Sequence, residues 1–283
     1  MQALRLGEYS PRALCSGSAL EAGEDGRRGQ AAGGAKREAS RGYESPLQGD
    51  PAQGARGEEE RGRQAGWTVS DAEARRAGLV ELYREVSNCA LCPLAETRTK
   101  TVFGAGNANA QLMFVGEAPG AEEDRQGLPF VGRAGQLLSE LLGEIDLSRE
   151  DVFIANVLKS RPPGNRDPMP GEIEACQPYL WKQIALIQPI VIATLGNFAT
   201  KLLSGNPTGI TRVRGVPQVH ELGGRTVFLF PLLHPAAALR TPAMKVTLRE
   251  DFAKLPALLA EALPQANEPD ASLDPADQLD LFG

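Results

Sequence analysis

The sequence predicts an α/β fold, a three-layer α/β/α arrangement around a central, mainly parallel sheet of four strands. Two observations support this prediction. Four short apolar runs rich in β-branched and aromatic residues are spaced along the chain, and stretches with apolar residues at helical spacing alternate with them. Strands that are apolar along their whole length are typical of parallel sheets covered by helices on both faces.

The predicted elements follow one another in order. A first helix begins near Ser70-Asp71-Ala72-Glu73, which has the Ser-x-x-Glu form of a capping box, and runs to about Ser87. The four strands are expected at 111–116, 152–156, 189–195 and 226–232. The other helices are expected near 134–145, 170–187, 196–204 and 247–263.

Both ends of the chain differ in composition from this central part. Residues 1–66 are rich in Gly, Arg, Glu and Ala and lack periodic apolar positions, which predicts a disordered extension. From residue 264 onward there are five acidic residues and no basic residue, which predicts a flexible acidic tail. The sequence therefore divides into an extension at 1–66, one folded domain at 67–263 and a tail at 264–283.

Charge and composition narrow the class of protein. The formal net charge is −6, but residues 67–263 hold 21 acidic and 20 basic residues, so a local basic strip is still able to bind DNA. No apolar run reaches the length of a membrane span, and residues 1–20 lack the apolar segment of a signal peptide. We therefore expect a cytoplasmic protein, whose four cysteines are metal ligands or free thiols rather than disulfides.

Polar and glycine-rich segments follow the carboxyl end of each predicted strand. Open parallel sheets bind their ligands at this edge, because the loops that leave the strands meet there. The segments are 116–135, 156–166, 196–197 and 234–240. Their convergence predicts a binding or catalytic site.

Three of these side chains suit the recognition of a flat base. Phe130 can stack on a ring, and the amide of Asn156 offers a donor and an acceptor that match the edge of a pyrimidine such as uracil. His234, at a predicted helix start, can donate to an oxygen that becomes anionic. Each has a structural alternative: Phe130 as a core residue, Asn156 as a cap of the following turn and His234 as a packing residue.

Charged side chains add to this inventory. Glu117 and Glu123 are able to position a water molecule or stabilise a cationic sugar. Lys159, Arg161 and Arg166 form a basic cluster with no acid among them, which suits phosphates. The alternative for this cluster is a solvated loop.

The segments 116–135, 156–163 and 234–240 resemble, in order, the motifs of the iron–sulfur uracil-DNA glycosylases, family 4 of that superfamily. The resemblance covers about residues 85–255. It implies an enzyme of base excision repair that flips uracil out of DNA and hydrolyses its N-glycosidic bond, leaving free uracil and an abasic site.

The resemblance also implies roles for individual residues. Phe130 would stack on uracil, Asn156 would bind its edge, and Ala118 would be a further substrate-binding residue. The residues around the uracil and its glycosidic bond would be Glu117, Glu123 and His234. In a loop facing the DNA, Leu239 would act as a wedge and Arg240 would contact phosphate.

Two other functions remain open. One is a protein that binds uracil-DNA without turnover or traps it covalently through the histidine. The trapping relatives carry a glutamine in the signature loop and a basic insertion after it, whereas this chain has Ala118 and no obvious insertion, which favours the enzyme. The other is a zinc-stabilised nucleotide-binding module.

The cysteines raise the question of a metal. Cys89-x-x-Cys92 alone fits zinc or an iron–sulfur cluster. The resemblance implies a 4Fe-4S cluster held by Cys89, Cys92, Cys176 and position 160, where this chain has Ser160 instead of cysteine. We expect a cluster bound by three cysteines plus Ser160 or another ligand, which fixes the N-terminal helix to the sheet, and we expect no role for Cys15.

The last residues, Gln278-Leu279-Asp280-Leu281-Phe282, resemble the pentapeptide by which many bacterial DNA-repair and replication proteins bind the β sliding clamp. Leu281 and Phe282 would be the apolar anchor, with Leu279 and Gln278 as further contacts. The alternative is a disordered end with incidental apolar residues. We expect a monomer whose partners are uracil-containing DNA and the clamp.

Overall fold

The computed structural model describes residues 69–266, and the predicted extension at 1–66, Cys15 and the clamp-like pentapeptide lie outside them. A sheet of six strands forms its centre, in the order β1-β3-β2-β4-β6-β5. The four central strands, β3, β2, β4 and β6, are parallel to one another. The strands are β1 (Ala105–Gly106), β2 (Leu112–Gly116), β3 (Phe153–Asn156), β4 (Val191–Leu195), β5 (Gln218–Leu222) and β6 (Arg225–Leu232).

The α/β/α fold predicted from the sequence is confirmed, but the predicted number of four strands is wrong. Two antiparallel strands, β1 and β5, extend the sheet at its two edges. Strand β1 has only two residues, too few for any periodic pattern. Strand β5 forms a hairpin with β6 through Gly223 and Gly224, whose φ angles of 63° and 76° suit a two-residue hairpin turn.

Ten α-helices cover the sheet within the described residues, and none of them is long and apolar enough to cross a membrane. The single helix predicted at 247–263 is in fact two helices, α9 and α10, separated at residues 253–254, and the second extends to Ala266. The helices are α1 (Val69–Ser87), α2 (Leu94–Thr97), α3 (Ala121–Gln126), α4 (Arg133–Gly143), α5 (Pro170–Ile187), α6 (Asn197–Ser204), α7 (Ile210–Val213), α8 (Pro235–Ala238), α9 (Pro242–Phe252) and α10 (Leu255–Ala266).

The apolar strands divide the core into two layers. Along β2, Met113 and Val115 pack with residues of α1, α5 and α6, and this group is the first core layer. Leu112 and Phe114 point to the other face and pack with α4, α9 and α10, which form the second core layer. Side chains alternate between the faces of a strand, so continuous burial along β2 requires helices on both sides.

Candidate active site

The carboxyl ends of β2 and β3 lie side by side, and their pairing continues into the loops that follow. The backbone N–H of Val157 donates to the carbonyl of Gly116 at 2.9 Å, and that of Leu158 donates to the carbonyl of Glu117 at 3.0 Å. Gly116 is also directly opposite Asn156 in the strand register. The backbone thus brings Glu117 and Asn156 to the same point at the edge of the sheet.

The side chain of Asn156 is buried at this edge, with 2 % of the residue exposed. Its Oδ1 atom is one of two buried side-chain polar atoms without a hydrogen-bond partner among the described residues. A buried acceptor left unpaired costs about 1–3 kcal/mol. Such an atom at the end of a parallel strand therefore indicates a place where a ligand supplies the missing donor.

Gly116 allows Asn156 to meet the ring of Phe130. A Cβ atom on Gly116 would stand 2.4 Å from Oδ1 of Asn156 and 2.7 Å from Cζ of Phe130. Both distances are far shorter than van der Waals contact. The strand therefore ends in glycine because any larger residue would displace the amide or the ring.

Phe130 holds a strained backbone conformation, with φ at 51°. The left-handed region costs a non-glycine residue about 1–2 kcal/mol, and its use at a site points to a functional constraint. The ring is 6 % exposed and stacks on the imidazole of His234, with ring centroids 5.8 Å apart and an interplanar angle of 30°.

Four hydrogen bonds hold residues 129–132, which we call the stacking loop. Arg149 donates from Nη1 to the carbonyl of Phe130 at 3.0 Å and from Nη2 to that of Pro129 at 2.7 Å. Glu123 accepts the backbone N–H groups of Val131 and Gly132 through one oxygen, Oε1, each at 2.9 Å. The carboxylate of Glu123 is therefore already engaged in the architecture of the loop.

His234 is the N-cap of α8, and this position determines its tautomer. Its Nδ1 accepts the backbone N–H of Ala236 at 3.1 Å, so the ring proton of the neutral imidazole must be on Nε2. Burial lowers the pKa of His234 to about 4, although the charge of Glu123 opposes this shift. The imidazole is consequently neutral near pH 7 and has one N–H to donate.

A cavity of about 640 Å³ opens beside His234 and Glu117. Burial raises the pKa of Glu117, and the negative charge of Asp167 raises it further. A carboxylate with a raised pKa accepts a proton more readily, as a general base requires. The other lining residues are Asp167, Ile173, Gly196, Asn197, Phe198, Lys201 and Leu202.

Gly196, at the end of β4, leaves the space in which the side chain of His234 lies against the backbone. A Cβ atom there would stand 3.0 Å from Cβ and 3.3 Å from Cδ2 of His234. Its φ of 95° is also unfavourable for any other residue. The carboxyl ends of the central strands thus bring together Glu117, Phe130, Asn156 and His234. Ala118 instead packs partly against the first core layer.

The predicted role of Lys159 as a phosphate-binding cation is wrong. Lys159 is 2 % exposed, and its Nζ donates to the carbonyl of Asn156 at 2.7 Å and to Oε1 of Gln183 at 2.6 Å. Burial lowers the pKa of Lys159 to about 7. The lysine therefore stabilises the backbone of Asn156 through this hydrogen bond and does not face solvent.

The other residues predicted to contact DNA differ in their exposure and in whether they are already paired within the protein. Arg166 donates to both carboxylate oxygens of Glu172, at 2.9 and 2.6 Å, so it closes the start of α5 and is already paired. Arg161 donates to the side chain of Asn165 at 2.7 Å. Arg240 is exposed, whereas Leu239 is half-buried against the second core layer.

Three thiols lie in one region between the N-terminal elements and α5. Burial raises the pKa of Cys176; the backbone N–H of Lys159, which bonds its sulfur, lowers it, and the nearby Cys92 and Cys89 raise it. Ser160, beside that N–H, is 4 % exposed and accepts from Arg98 at 3.4 Å. Within the described part of the chain, no group of three or more His, Cys, Asp or Glu side chains is arranged to hold a metal ion.

Two functional candidates were missed in the sequence. Asp167 follows the basic run directly, and an acid at the end of such a run could have been noticed. Arg149 lies in a polar turn 19 residues from Phe130, and no local pattern relates the two. Only the folded chain shows this contact.

Comparison with known proteins yields a consistent group of relatives. The family model of the uracil DNA glycosylase superfamily matches residues 103–260. The type-4 uracil-DNA glycosylase of Sulfurisphaera tokodaii is 47 % identical over 182 residues, 62 % of this chain and 83 % of the relative. That of Archaeoglobus fulgidus is 45 % identical over 190 residues, 66 % of this chain and 96 % of the relative. That of Thermotoga maritima is 49 % identical over 167 residues, 58 % of this chain and 85 % of the relative.

Proposed function

This chain belongs to the uracil-DNA glycosylase superfamily, to its type-4 members, and we propose that Asn156, Phe130 and the neighbouring cavity at Glu117 and His234 bind uracil flipped out of DNA. The activity is the hydrolysis of the N-glycosyl bond between uracil and deoxyribose. The unpartnered, buried Oδ1 atom of Asn156 supports the placement of the base, since uracil offers an N3–H donor. With the amide in the orientation that binds uracil, neutral cytosine would set the lone pair of its N3 against Oδ1 and its N4–H2 group against the amide N–H2, and it would be rejected.

Phe130 and Gly116 complete the base pocket. The ring of Phe130 stacks on the base, because it is flat, largely buried and fixed beside Asn156. Gly116 leaves the space in which the amide and the ring come together. The base is thus bound by one stacked face and one polar edge, as a flipped nucleotide requires.

Bond cleavage is assigned to His234 and Glu117. As the C1′–N1 bond breaks, its electron pair moves to uracil, and the Nε2–H of neutral His234 donates to the oxygen that becomes anionic. The oxygen of a water molecule bonds to C1′, and its proton passes to the carboxylate of Glu117. Glu117 is assigned this role because Glu123 already accepts two backbone amides.

The test of this function uses an oligonucleotide that contains one uracil, followed by alkali, which cleaves the strand at an abasic site. We expect scission with uracil and none with cytosine in its place. Folded protein that produces no scission would rule out hydrolysis. A protein–DNA adduct that survives denaturation would instead indicate the covalently trapping alternative.

A 4Fe-4S cluster is the cofactor that we propose for Cys89, Cys92 and Cys176, with Ser160 at the fourth position. In such a cluster each ligand binds a different iron, so the ligands stand farther apart than around one ion, and thiolates are its usual donors. The residues fit this donor set because the three thiols lie close enough to influence one another, and the buried Ser160 directly follows Lys159, whose N–H bonds the sulfur of Cys176. When bound, the cluster would cross-link the N-terminal elements to α5 and take no part in the hydrolysis.

DNA binding outside the pocket is assigned to Arg240, which is exposed, and to Arg161. Leu239 is proposed as the wedge that fills the space left by the flipped base. Its half-buried position beside α8 supports this role because a wedge must be backed by the protein. Substitution Arg240→Ala should weaken DNA binding at all sequences alike.

We also propose that the terminal pentapeptide binds the β sliding clamp, and its sequence alone supports this. Leu281 and Phe282 supply an apolar anchor, as short docking peptides require. The affinity expected is micromolar, because the peptide must become ordered on binding. In a titration with purified clamp, the intact chain should bind and the Leu281→Ala, Phe282→Ala double variant should not. Equal binding by the two proteins, or no binding by either, would contradict the proposal.

A further inference from the structure

Arg149 bonds both carbonyl groups at the strained part of the stacking loop. Its two terminal nitrogens donate to the carbonyls of Pro129 and Phe130, at 2.7 and 3.0 Å. Consecutive carbonyls must point to the same side to share one guanidinium. This arrangement accompanies the left-handed φ of Phe130, so the bonds stabilise the conformation that the ring needs.

The position of Arg149 is itself fixed by the turn between α4 and β3. The N–H and hydroxyl of Ser148 donate to Oδ2 of Asp151, at 2.9 and 2.6 Å. Leu147, two residues before Arg149, packs against the second core layer. The guanidinium therefore projects from a rigid support, and not from a free loop.

Helix α4 also leaves room for this contact. A Cβ atom on Gly135 would stand 1.7 Å from the carbonyl oxygen of Phe130, so only glycine lets that carbonyl lie against the helix. Glu123 accepts the amides of Val131 and Gly132 in the same loop. The carbonyls of residues 129 and 130 and the amides of residues 131 and 132 are thus each bound by a charged side chain.

We infer that Arg149 is a positioning residue for uracil excision, which acts by holding the ring of Phe130 in the orientation that stacks on the base. This inference rests on the role proposed for Phe130. Arg149 bonds the backbone carbonyl of Phe130 itself, which is the direct route by which it acts on the ring and through the ring on the base. Removing it frees Phe130 to leave its strained conformation, and the ring then moves away from the base.

A double-mutant cycle in the full chain tests the inference. Single-turnover rates are measured on uracil-containing DNA for Arg149→Ala, Phe130→Ala and the double variant. Misplacing a group that orients the substrate costs roughly ten- to hundredfold, which is the loss expected for each single variant. The double variant should be no slower than the slower single variant, because both changes remove the same interaction.

Two further measurements separate positioning from general damage. Arg149→Lys should keep part of the activity, since an ammonium can still bond one carbonyl, and added guanidinium ion should restore part of the activity of Arg149→Ala. The matched control is Arg125→Ala, which removes an exposed arginine that pairs with Glu122. This control should keep full activity and show no response to guanidinium.

The outcomes are distinguishable. Full activity of Arg149→Ala, or losses that multiply in the double variant, would overturn the inference. If Arg149→Ala does not fold, the same cycle with Arg149→Lys decides the question in the same way. A wild-type chain that excises no uracil would instead refute the proposed function, and an unimpaired Phe130→Ala would refute the stacking role.

Discussion

Gly116 and Asn156 face each other across β2 and β3 so closely that a methyl group on the first would stand 2.4 Å from Oδ1 of the second. Gly116→Ala should therefore displace Asn156 and Phe130 together and abolish most uracil excision. Overpacking of this kind costs about 1–3 kcal/mol of stability. Excision rates and thermal unfolding measure the two effects.

Gly143→Ala is the matched control for that substitution. Gly143 ends α4, and a Cβ atom there would have no neighbour within 4 Å. Alanine should raise stability slightly and leave excision unchanged, because it is the better helix residue. Equal excision activity of the Gly116→Ala and Gly143→Ala variants would show that Asn156 does not bind the base.

Asn156→Asp tests the edge of the base pocket. The aspartate keeps the shape of the side chain but loses the amide donor, and its negative charge repels the carbonyl oxygen of uracil. The loss of one matched hydrogen bond should cost about 1–3 kcal/mol in kcat/KM, while the fold remains intact. Asn206→Asp, in the exposed turn after α6, should have no effect. An active Asn156→Asp variant would place the site elsewhere.

His234 should titrate far below an ordinary histidine. Its pKa of about 4 lies below the ordinary histidine value of 6.5, so between these values the unfolded chain binds more protons than the folded chain. The free energy of unfolding should therefore fall as the pH drops from about 6.5 to about 4, and this contribution is complete above pH 6.5.

NMR of the imidazole protons measures this pKa directly. The chain has two histidines, so His220→Asn identifies the resonances of His234 and serves as the control for stability. His234→Asn should remove the pH dependence described above, and His220→Asn should preserve it. Titration of His234 near or above 6.5 would contradict the neutral donor.

Lys159→Ala should act on stability rather than on DNA binding. It leaves the carbonyl of Asn156 and the amide oxygen of Gln183 without their shared donor and opens a cavity. The expected loss is about 2–4 kcal/mol of unfolding free energy. Arg240→Ala, at an exposed residue, should show the reverse pattern of weaker DNA binding and unchanged stability.

Ser160→Cys tests the cofactor. Protein purified without oxygen should contain iron and acid-labile sulfide, and a fourth thiolate should raise the iron content or its resistance to oxygen. Cys15→Ser is the control and should change neither. A colourless protein with one tightly bound zinc would contradict the cluster and support the zinc alternative.

The central strands and the convergence of their carboxyl ends could be predicted because burial on both faces leaves a simple apolar signature in the sequence. Strand β5 lacks that signature, since its side chains are alternately half-buried and exposed at the edge of the sheet. The Gly223-Gly224 pair before β6 was the available signal for its hairpin.

The side chains were harder to predict than the strands. Lys159 and Arg161 are two positions apart and look alike in sequence, yet one is buried and the other half-exposed. The difference depends on Gln183, a distant residue that offers Lys159 its acceptor. Arg149 carries no local signal for the same reason: its partner carbonyls belong to a loop on the other side of α4.

The way Glu123 bonds the backbone of Val131 and Gly132 has a consequence for the length of the segment between them. The two bonds of this carboxylate close a loop of backbone that begins in α3 and ends at Gly132, immediately before α4. One residue inserted or deleted between 124 and 130 would bring the wrong amides to Glu123 and turn Phe130 away from the base. This loop, unlike most surface loops, should therefore tolerate changes of composition at exposed positions but no change of length.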